Sequence, residues 1–403
     1  MRGLMATDPH VLATAVADSI VVAADPEARR ACLLYWQAAR PYLDRVTDAA
    51  VAHPDAGIAG PAAELSAAPA DPGPHRRLCA ALAAPRAQGP ATDAVFAAAW
   101  EAEGVNRLGH HLGAAYTPGA DPVDVDTLLA VPPGTGRAAA DAEILIVVPF
   151  RDRDTGGFRL RNLLACLAAL ADQSYARDRY RIAVVESDSE PRWRHAVEPH
   201  VDRYVFAPKA GLFNKSWAVN VGVVSSAGTA EAICVLDADV LADRDFVARN
   251  ADRFRRPGTS GHLTYRNMLN LTDEATATAI RSRVLRGEAE ADVAQLRGFV
   301  LRRPPGCCLW VRTEAFHRIG GMDERYEGWG GEDNDFAYRM DFHTAFDSYD
   351  DTLLHLAHPP APATKDDGEL FNAHIPMLSW RPERPIGDPG RFAPGRTPAG
   401  HGR

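Results

Sequence analysis

The apolar residues of this chain recur in two different ways. From the N-terminus to about residue 140, Ala, Leu and Val repeat at helical spacing, most clearly over 11–24, 28–51 and 93–112. Adjacent His110 and His111 would point in different directions on such a helix, so we predict packing or exposure for them rather than metal binding. The region from 1 to 140 is therefore predicted to be a helical accessory domain.

From Glu143 onward, short apolar runs alternate with helical patterns. Strands are predicted over 144–148, 181–185, 204–206 and 232–236, and helices over 160–170 and 215–224. This alternation is typical of βαβ units. It predicts an α/β fold over 141–360, a Rossmann-like mixed, mostly parallel sheet flanked by helices. Residues 361–403 are rich in Pro, Gly and charge, and are predicted to be a C-terminal extension with a partly disordered tail.

Composition and charge limit which partners and which cellular location we expect for this protein. The chain has 403 residues and a formal net charge of −9, and it lacks a long Lys/Arg run, which argues against a nucleic-acid partner. No apolar stretch is long enough to span a bilayer, and no signal-peptide pattern precedes the first helix. The six cysteines are scattered, which favours a reducing compartment. We therefore expect a cytoplasmic protein, with homo-oligomerisation left open.

In parallel sheets the ligand crevice lies at the carboxyl ends of the strands, so the polar residues there are candidates for chemistry. The strand over 232–236 ends in Asp237, Ala238 and Asp239, and paired carboxylates after a buried strand suit a hard divalent cation that also holds phosphate. Farther along, His355 and His358 follow an apolar segment. One of the two histidines is predicted to complete the metal shell, although a lone histidine is more often structural.

Three further strand ends carry candidate nucleotide contacts. Arg151 and Arg153 could bind a pyrophosphate and Phe150 a base, although two solvated arginines in a surface loop would look the same. Glu186 could accept hydrogen bonds from a uracil or ribose. Lys215 lies near the start of a helix, where phosphate is favoured.

An acidic block follows a Gly- and Trp-containing loop. Gly328, Trp329, Gly330 and Gly331 precede three acids within four positions, Glu332, Asp333 and Asp335. Like-charge crowding raises the proton affinity of a carboxylate, which suits a general base. Acids also favour any helix N-terminus, but the glycine-rich lead-in makes that simpler interpretation a poor fit.

These blocks, in this order, resemble the GT-A glycosyltransferases of the family 2 type, closest to the β-1,4-galactosyltransferase and chondroitin-synthase-like branch. The resemblance covers about 141–360 and leaves 267–299 poorly matched, a segment predicted to be a charged helical insertion. It implies an inverting transfer of a sugar from a nucleoside diphosphate sugar, commonly a uridine diphosphate sugar, to an acceptor hydroxyl of a small molecule or glycan, with Mn²⁺ (or Mg²⁺).

The resemblance also implies roles for individual residues. Asp333 would be the base, Glu332 and Trp329 would border the sugars, Asp239 would be the main metal ligand, and Asp237 would lie nearer the ribose as a further ligand. The nucleotide pocket would be formed by Pro149, Phe150, Arg151, Arg153, Glu186, Phe213, Lys215, Asp237, Ala238 and Trp329. An Arg is usual in the galactosyltransferase pattern where Lys215 stands, so the diphosphate geometry is expected to differ.

Two alternatives are weighed against this function. A sugar-nucleotide nucleotidyltransferase also uses an α/β core and Mg²⁺, but it would show a Gly-rich phosphate loop after the first strand, where this chain has 149–153 instead. A non-catalytic sugar-binding protein on the same fold would have little use for the paired aspartates, the acidic block and the histidines.

Overall fold

The structure is a computed structural model that describes residues 5–87, 89–153 and 155–393. The last residues of the predicted tail, 394–403, lie outside this range. The described α-helices are α1 (Pro9–Ala24), α2 (Pro26–Ala31), α3 (Leu33–Val51), α4 (Ala56–Ala67), α5 (Pro72–Ala83), α6 (Pro90–Val105), α7 (Val125–Leu129), α8 (Phe158–Ala171), α9 (Arg194–Val197), α10 (Lys215–Ser226), α11 (Phe246–Arg253), α12 (Asp273–Ile280), α13 (Thr313–Arg318) and α14 (Glu332–His343).

Strands are concentrated in the second half of the chain. They are β1 (Leu108–Leu112), β2 (Ile144–Phe150), β3 (Tyr180–Glu186), β4 (Arg203–Phe206), β5 (Ala232–Leu236), β6 (Val240–Leu241), β7 (Gly261–Leu263), β8 (Asn267–Leu271), β9 (Arg297–Arg302), β10 (Cys308–Arg312), β11 (Phe346–Ser348) and β12 (Leu353–His355). No helix in the described ranges combines the length and the apolar character that crossing a membrane requires.

The chain folds into two compact units. The first comprises residues up to 121 together with 267–278 and 292–303, and the second comprises 122–266, 279–291 and the chain from 304 onward. Helices α1 to α6 belong to the first unit, where apolar faces such as that of α1 are buried. The first unit also contains strands, with β9 pairing antiparallel to both β1 and β8.

Two predictions of helix are therefore wrong at the strands of the first unit. The helix predicted to continue to residue 112 ends at Val105, and 108–112 forms β1. Asn106 helps to end the helix, since its side chain accepts a hydrogen bond from the Leu108 amide at 2.8 Å. The segment 267–299, predicted to be helical, contains helix α12 as predicted, but it also contains β8 and the start of β9. Strand β9 pairs with both β1 and β8, and its backbone hydrogen bonds override the local helical spacing in both places.

The second unit contains a seven-stranded mixed sheet in the order β11-β7-β10-β5-β2-β3-β4. The four strands β5, β2, β3 and β4 are mutually parallel, whereas β10 runs antiparallel to both of its neighbours. All seven residues of β2 are buried, as expected for a strand covered on both faces. Helix α10 lies close on this sheet, because a Cβ at Gly222 would come within 2.6 Å of Val147. The predicted α/β class is confirmed.

Candidate active site

The turn after β5 separates the two carboxylates of the Asp-x-Asp motif. Asp237 donates its amide to the Cys307 carbonyl at 2.8 Å, and its own carbonyl accepts from the Val240 amide at 3.2 Å. Ala238, between them, is 7% exposed. The two acidic side chains consequently join different clusters, with Asp239 beside two histidines and Asp237 beside Lys215.

Asp239, His355 and His358 form a group with the donor atoms of a metal site. One ligand atom from each lies within 4.8 Å of the others. Strand β12 brings the histidines there, since it pairs antiparallel with β6 and places His355 opposite Val240. His358 Nε2 is 3.4 Å from Asp239 Oδ2, and its Nδ1 lies 2.8 Å from the Pro359 carbonyl. A proton on Nδ1 would leave the Nε2 lone pair facing the carboxylate, the usual arrangement of a metal-binding histidine.

Neighbouring residues hold Asp239 in its charged form. Asn162 donates to Oδ1 at 2.8 Å, and Arg159 Nη1 is 3.5 Å from Oδ2. Burial opposes ionisation, but the nearby His358, Arg159 and His355 lower the pKa of Asp239 below its ordinary value. Burial, reinforced by His358, lowers the pKa of His355 to about 4, so this imidazole is neutral at pH 7. A neutral imidazole beside a carboxylate is what a divalent cation requires.

Sequence reasoning missed Asn162 and Arg159, which both lie in the first turns of α8. The signal was present, because Asn162 is a polar residue inside the run of leucines that predicts this helix. It is fully buried, and its amide also donates to the Ala357 carbonyl at 3.1 Å. A buried asparagine needs such partners, so its position in an apolar helix could have indicated a polar neighbour across the packing surface.

Lys215 connects Asp237 to the acidic block. Its Nζ is 2.8 Å from Asp237 Oδ1 and 3.0 Å from Asp333 Oδ2, and it also donates to Asp333 Oδ1 at 3.1 Å. Asn214 positions it by capping α10, accepting the Trp217 amide at 2.8 Å. Gly306 leaves room for Asp333, because a Cβ there would collide with the carboxylate. Lys215, which was predicted to bind phosphate, thus contacts Asp333, the residue predicted to be the base.

The glycine-rich loop sets the direction of the acidic block. Gly328, Gly330 and Gly331 have φ angles of 75°, 97° and 98°, a region that favours glycine. Helix α14 then begins at Glu332, so Glu332 and Asp333 occupy its first turn. Asp335 points elsewhere, since its Oδ2 accepts from Arg339 Nε at 2.7 Å.

The two carboxylates at the start of α14 differ in their environment. Burial, together with the charge of Asp333, raises the pKa of Glu332 to about 7. Burial also raises the pKa of Asp333, but Lys215 opposes the rise. Both hydrogen-bonding oxygens of Asp333 face Lys215, whereas Glu332 Oε2 is buried without a hydrogen-bond partner among the described residues. The lysine therefore favours a charged Asp333 more than a charged Glu332.

The loops after β2 and β3 border a pocket of about 340 Å³, whose lining includes Asp152, Arg153, Gly157, Arg192 and Trp193. Arg153 Nη2 hydrogen-bonds Asp188, and Arg192 Nε lies 3.3 Å from the same carboxylate. A volume of this size falls in the usual range for small ligands.

Several predicted nucleotide contacts have other partners in this structure. Arg151 donates to three backbone carbonyls, those of Ser187, Gly211 and Lys209, which joins the loops after β2, β3 and β4. Its guanidinium also stacks over the Phe213 ring at 5.2 Å.

The residues of β2 and β3 that were predicted to contact the nucleotide are buried in the protein core. Phe150 is 2% exposed, so its ring packs in the core and does not make the predicted contact with a base. Pro149 is buried as well. Glu186 is 1% exposed and accepts from the Arg192 amide at 3.0 Å and the Tyr204 hydroxyl at 2.5 Å. Its oxygens hold the local turn and do not face open space, which differs from the predicted contact with uracil or ribose. The strands themselves cause this, since side chains within a strand covered on both faces are buried.

The C-terminal extension holds the loop that carries Trp329, whose own side chain is 40% exposed. Asn372 accepts the Glu327 amide at 3.1 Å and donates to the Gly330 carbonyl at 2.8 Å. The ring of Phe371 packs on Gly328, where a Cβ would come within 3.0 Å of it. The extension therefore supports this loop through the side chains of Phe371 and Asn372.

We expect Asn372→Ala to loosen the Trp329 loop. The loop would lose two hydrogen bonds, each worth about 0.5–1.5 kcal/mol. Faster amide hydrogen exchange over 327–331 and a lower kcat/KM should follow, with little change in the exchange of β2. His374→Ala, an exposed neighbour, is the matched control. Equal exchange of the loop in the Asn372 variant and the parent would contradict this role.

The comparisons with known proteins agree with a mixed sheet flanked by helices, which is the architecture of the GT-A class of glycosyltransferases. Residues 145–320 match the family described as Glycosyl transferase family 2, and residues 301–346 match the family described as N-terminal domain of galactosyltransferase. The protein is a glycosyltransferase with a family 2 domain. None of the curated protein sequences matches the chain.

Solved structures of similar proteins include three glycosyltransferases. A mannosyltransferase, PcManGT from Pyrobaculum calidifontis, in complex with GDP-Man and Mn²⁺, is 17% identical over 57% of this chain and 62% of its own, with a TM-score of 0.36. Drosophila β1,4-galactosyltransferase 7 with xylobiose is 19% identical over 59% and 75%, with a TM-score of 0.28. S. aureus TarS is 14% identical over 53% and 37%, with a TM-score of 0.37. At these scores the assignment rests on the two family matches.

Proposed function

We propose that this protein transfers a sugar from a nucleoside diphosphate sugar, with uridine diphosphate as the expected nucleotide, to a hydroxyl of a small molecule or glycan. The observation that carries the proposal is the Asp-x-Asp turn itself. Asp239 in this turn belongs to the group with His355 and His358. Two positions earlier, Asp237 contacts Lys215, which also contacts Asp333. A cation site and a basic carboxylate are thereby held at the carboxyl end of one strand, β5.

The donor atoms of the first group fit a divalent cation. One carboxylate oxygen and two imidazole nitrogens suit a first-row transition metal better than Mg²⁺, which prefers oxygen ligands alone, and Mn²⁺ is the transition metal that the resemblance implies. When bound, such a cation neutralises charge that grows on a departing diphosphate. Asp237 was predicted as a further ligand, but its carboxylate pairs with Lys215 and is not part of this group in the described structure.

Asp333 is proposed as the general base. It would take the proton of the acceptor hydroxyl as the hydroxyl oxygen forms a bond to the anomeric carbon and the bond from that carbon to the phosphate oxygen breaks. The electron pair leaves with the nucleoside diphosphate. A single displacement of this kind inverts the anomeric configuration. Lys215 supports this role, because its contact with Asp333 favours the unprotonated carboxylate, and the same ammonium group would be available to the diphosphate.

The pocket lined by Arg153 and Arg192 is the proposed place for the nucleotide. It lies beyond the ends of β2 and β3, where ligands of parallel sheets bind. The six free thiols of the chain support the expected reducing, cytoplasmic location.

The donor is tested by a thermal-shift screen of nucleotide sugars with and without Mn²⁺. Ligand binding to the native state raises apparent stability, so the correct donor should raise the melting temperature only when Mn²⁺ is present. Release of nucleoside diphosphate and an inverted product, read by NMR, would support the proposed transfer. Release of pyrophosphate from a nucleoside triphosphate and a sugar phosphate would instead indicate nucleotidyl transfer.

We expect Arg153→Ala to raise the donor KM more than it lowers kcat. Losing a hydrogen bond to a charged group costs about 1.5–3 kcal/mol, which is roughly a 10- to 100-fold change. Binding would be lost in the ground state and the transition state alike. Arg194→Ala removes an arginine that contacts Tyr204 instead, so this variant should behave as the parent does. An unchanged donor KM in the Arg153 variant would exclude the contact.

A further inference from the structure

A second cluster of metal-binding side chains lies within the first unit. Asp18 on α1, His75 on α5 and His110 on β1 converge, with one ligand atom of each within 4.8 Å of the others. His75 Nε2 is 2.9 Å and His110 Nδ1 is 3.1 Å from the same oxygen, Asp18 Oδ1. The two imidazole rings meet edge to face, with centroids 5.5 Å apart.

These side chains are withdrawn from water. The exposed fraction is 1% for the His110 side chain, 10% for His75 and 18% for Asp18. Helices with as many Ala, Val and Leu residues as α1 and α5 could pack through apolar residues alone, so three largely buried ionisable groups are not needed to bring them together. Burying such groups costs free energy unless they are paired or bind a metal.

Part of the cluster also remains unsatisfied. His110 Nε2 is buried and has no hydrogen-bond partner among the described residues. The second nitrogen of His75 has only a weak partner, Cys79 Sγ at 3.9 Å. A buried ring nitrogen without a partner shows that hydrogen bonds within the described residues do not satisfy the whole cluster.

We propose that Asp18, His75 and His110 form a second cation site, with Zn²⁺ as the preferred ion. Two imidazole nitrogens and one carboxylate oxygen match the ligand types of zinc, with a water completing four-coordination. Because the ligands come from α1, α5 and β1, the ion would cross-link three elements of the first unit. The proposed sugar transfer uses none of the residues of this site.

The competing arrangement is a hydrogen-bonded triad without metal. Burial lowers the pKa of His75, but its hydrogen bond to Asp18 outweighs burial and raises the pKa to about 9. A protonated His75 beside Asp18 would then hold the cluster together by charge. Zinc binding distinguishes the two arrangements, because the hydrogen-bonded triad would bind no zinc.

The experiment measures zinc per chain in the full-length protein after chelation, reloading with ZnCl₂ and removal of excess ion. Because the Asp239 group can also take zinc, we expect two equivalents in the parent. One equivalent should remain in His75→Gln, one in Asp239→Ala, and none in the double variant. Adding zinc should raise the melting temperature of the parent and of Asp239→Ala. It should not raise the melting temperature of the double variant that combines His75→Gln with Asp239→Ala.

Controls separate metal loss from misfolding. His111→Ala is the matched control, because His111 neighbours His110 but its Nε2 contacts the Val293 carbonyl at 2.9 Å. Asp18→Asn keeps the size and hydrogen-bonding capacity of the side chain and should still lose one equivalent. Retention of that equivalent by folded His75→Gln and Asp18→Asn, or its absence from the Asp239→Ala variant, would overturn the proposal. Neither result bears on the sugar transfer, which depends on other residues.

Discussion

Replacing Asp333 with Asn should lower kcat by about 10²- to 10⁴-fold, the usual contribution of a general base. The substitution keeps the size of the side chain and its capacity to hydrogen-bond, but the amide cannot accept the proton of the acceptor hydroxyl. Donor affinity should survive, because the proposed cation site and nucleotide pocket use other residues. Single-turnover kinetics measures the chemical step, and calorimetry with donor and Mn²⁺ measures binding.

The neighbouring Glu332→Gln is the matched variant for this prediction. Glu332 has a pKa of about 7 and a buried, unpaired oxygen, so it is the one rival for the role of base in the block. Asp333 is preferred because Lys215 holds it charged at 3.0 Å. A larger loss of kcat in Glu332→Gln than in Asp333→Asn would transfer the role to Glu332, and a product of retained configuration would exclude single displacement.

Replacing Asp239 with Ala should abolish Mn²⁺-dependent donor binding. The loss of metal affinity should exceed the roughly 10- to 100-fold that removal of an outer-shell partner costs, because Asp239 supplies a ligand and the only carboxylate of its group. Isothermal titration with Mn²⁺, alone and with nucleotide, measures this. Asn162 and Arg159 would lose their partner, so the fold should be checked by thermal unfolding in the absence of metal.

The two histidines can be ranked by their geometry. His358 Nε2 lies 3.4 Å from Asp239 Oδ2, and the Pro359 carbonyl orients its ring. His358→Ala should therefore weaken Mn²⁺ binding more than His355→Ala, while exposed His343→Ala should leave it unchanged. Metal and nucleotide binding equal to the parent in Asp239→Ala would show that the cation site is elsewhere.

The elements of the second unit were largely readable from the sequence. The apolar run predicted as a strand over 144–148 is β2, and the helix predicted over 215–224 is α10, whose Asn214 caps it. Such predictions succeed because a strand buried on both faces and a capped helix are encoded by residues adjacent in sequence. The order of the motifs also indicated the enzyme class, through its resemblance to the family 2 glycosyltransferases.

The partners of individual side chains were not readable in this way. Lys215 and Asp333 are 118 positions apart, and Asp237 and Asp239 turn to opposite clusters although one residue separates them. The histidines reach Asp239 only because β12 pairs with β6. Side-chain contacts of this kind depend on strand order and on the turn conformation.

The first unit shows the same division most clearly. The sequence by itself indicated α1, α3 and α6, because their apolar spacing is local and strong, but it did not indicate α4 and α5. Tertiary structure decided that 108–112 is a strand, since its partner at 297–301 arrives almost two hundred positions later. That pairing also turned His110 toward Asp18 and His75, away from its neighbour His111. Long-range pairing can override local preference because the hydrogen-bond partners of a strand lie on another strand. The position of that other strand cannot be predicted from local residue spacing.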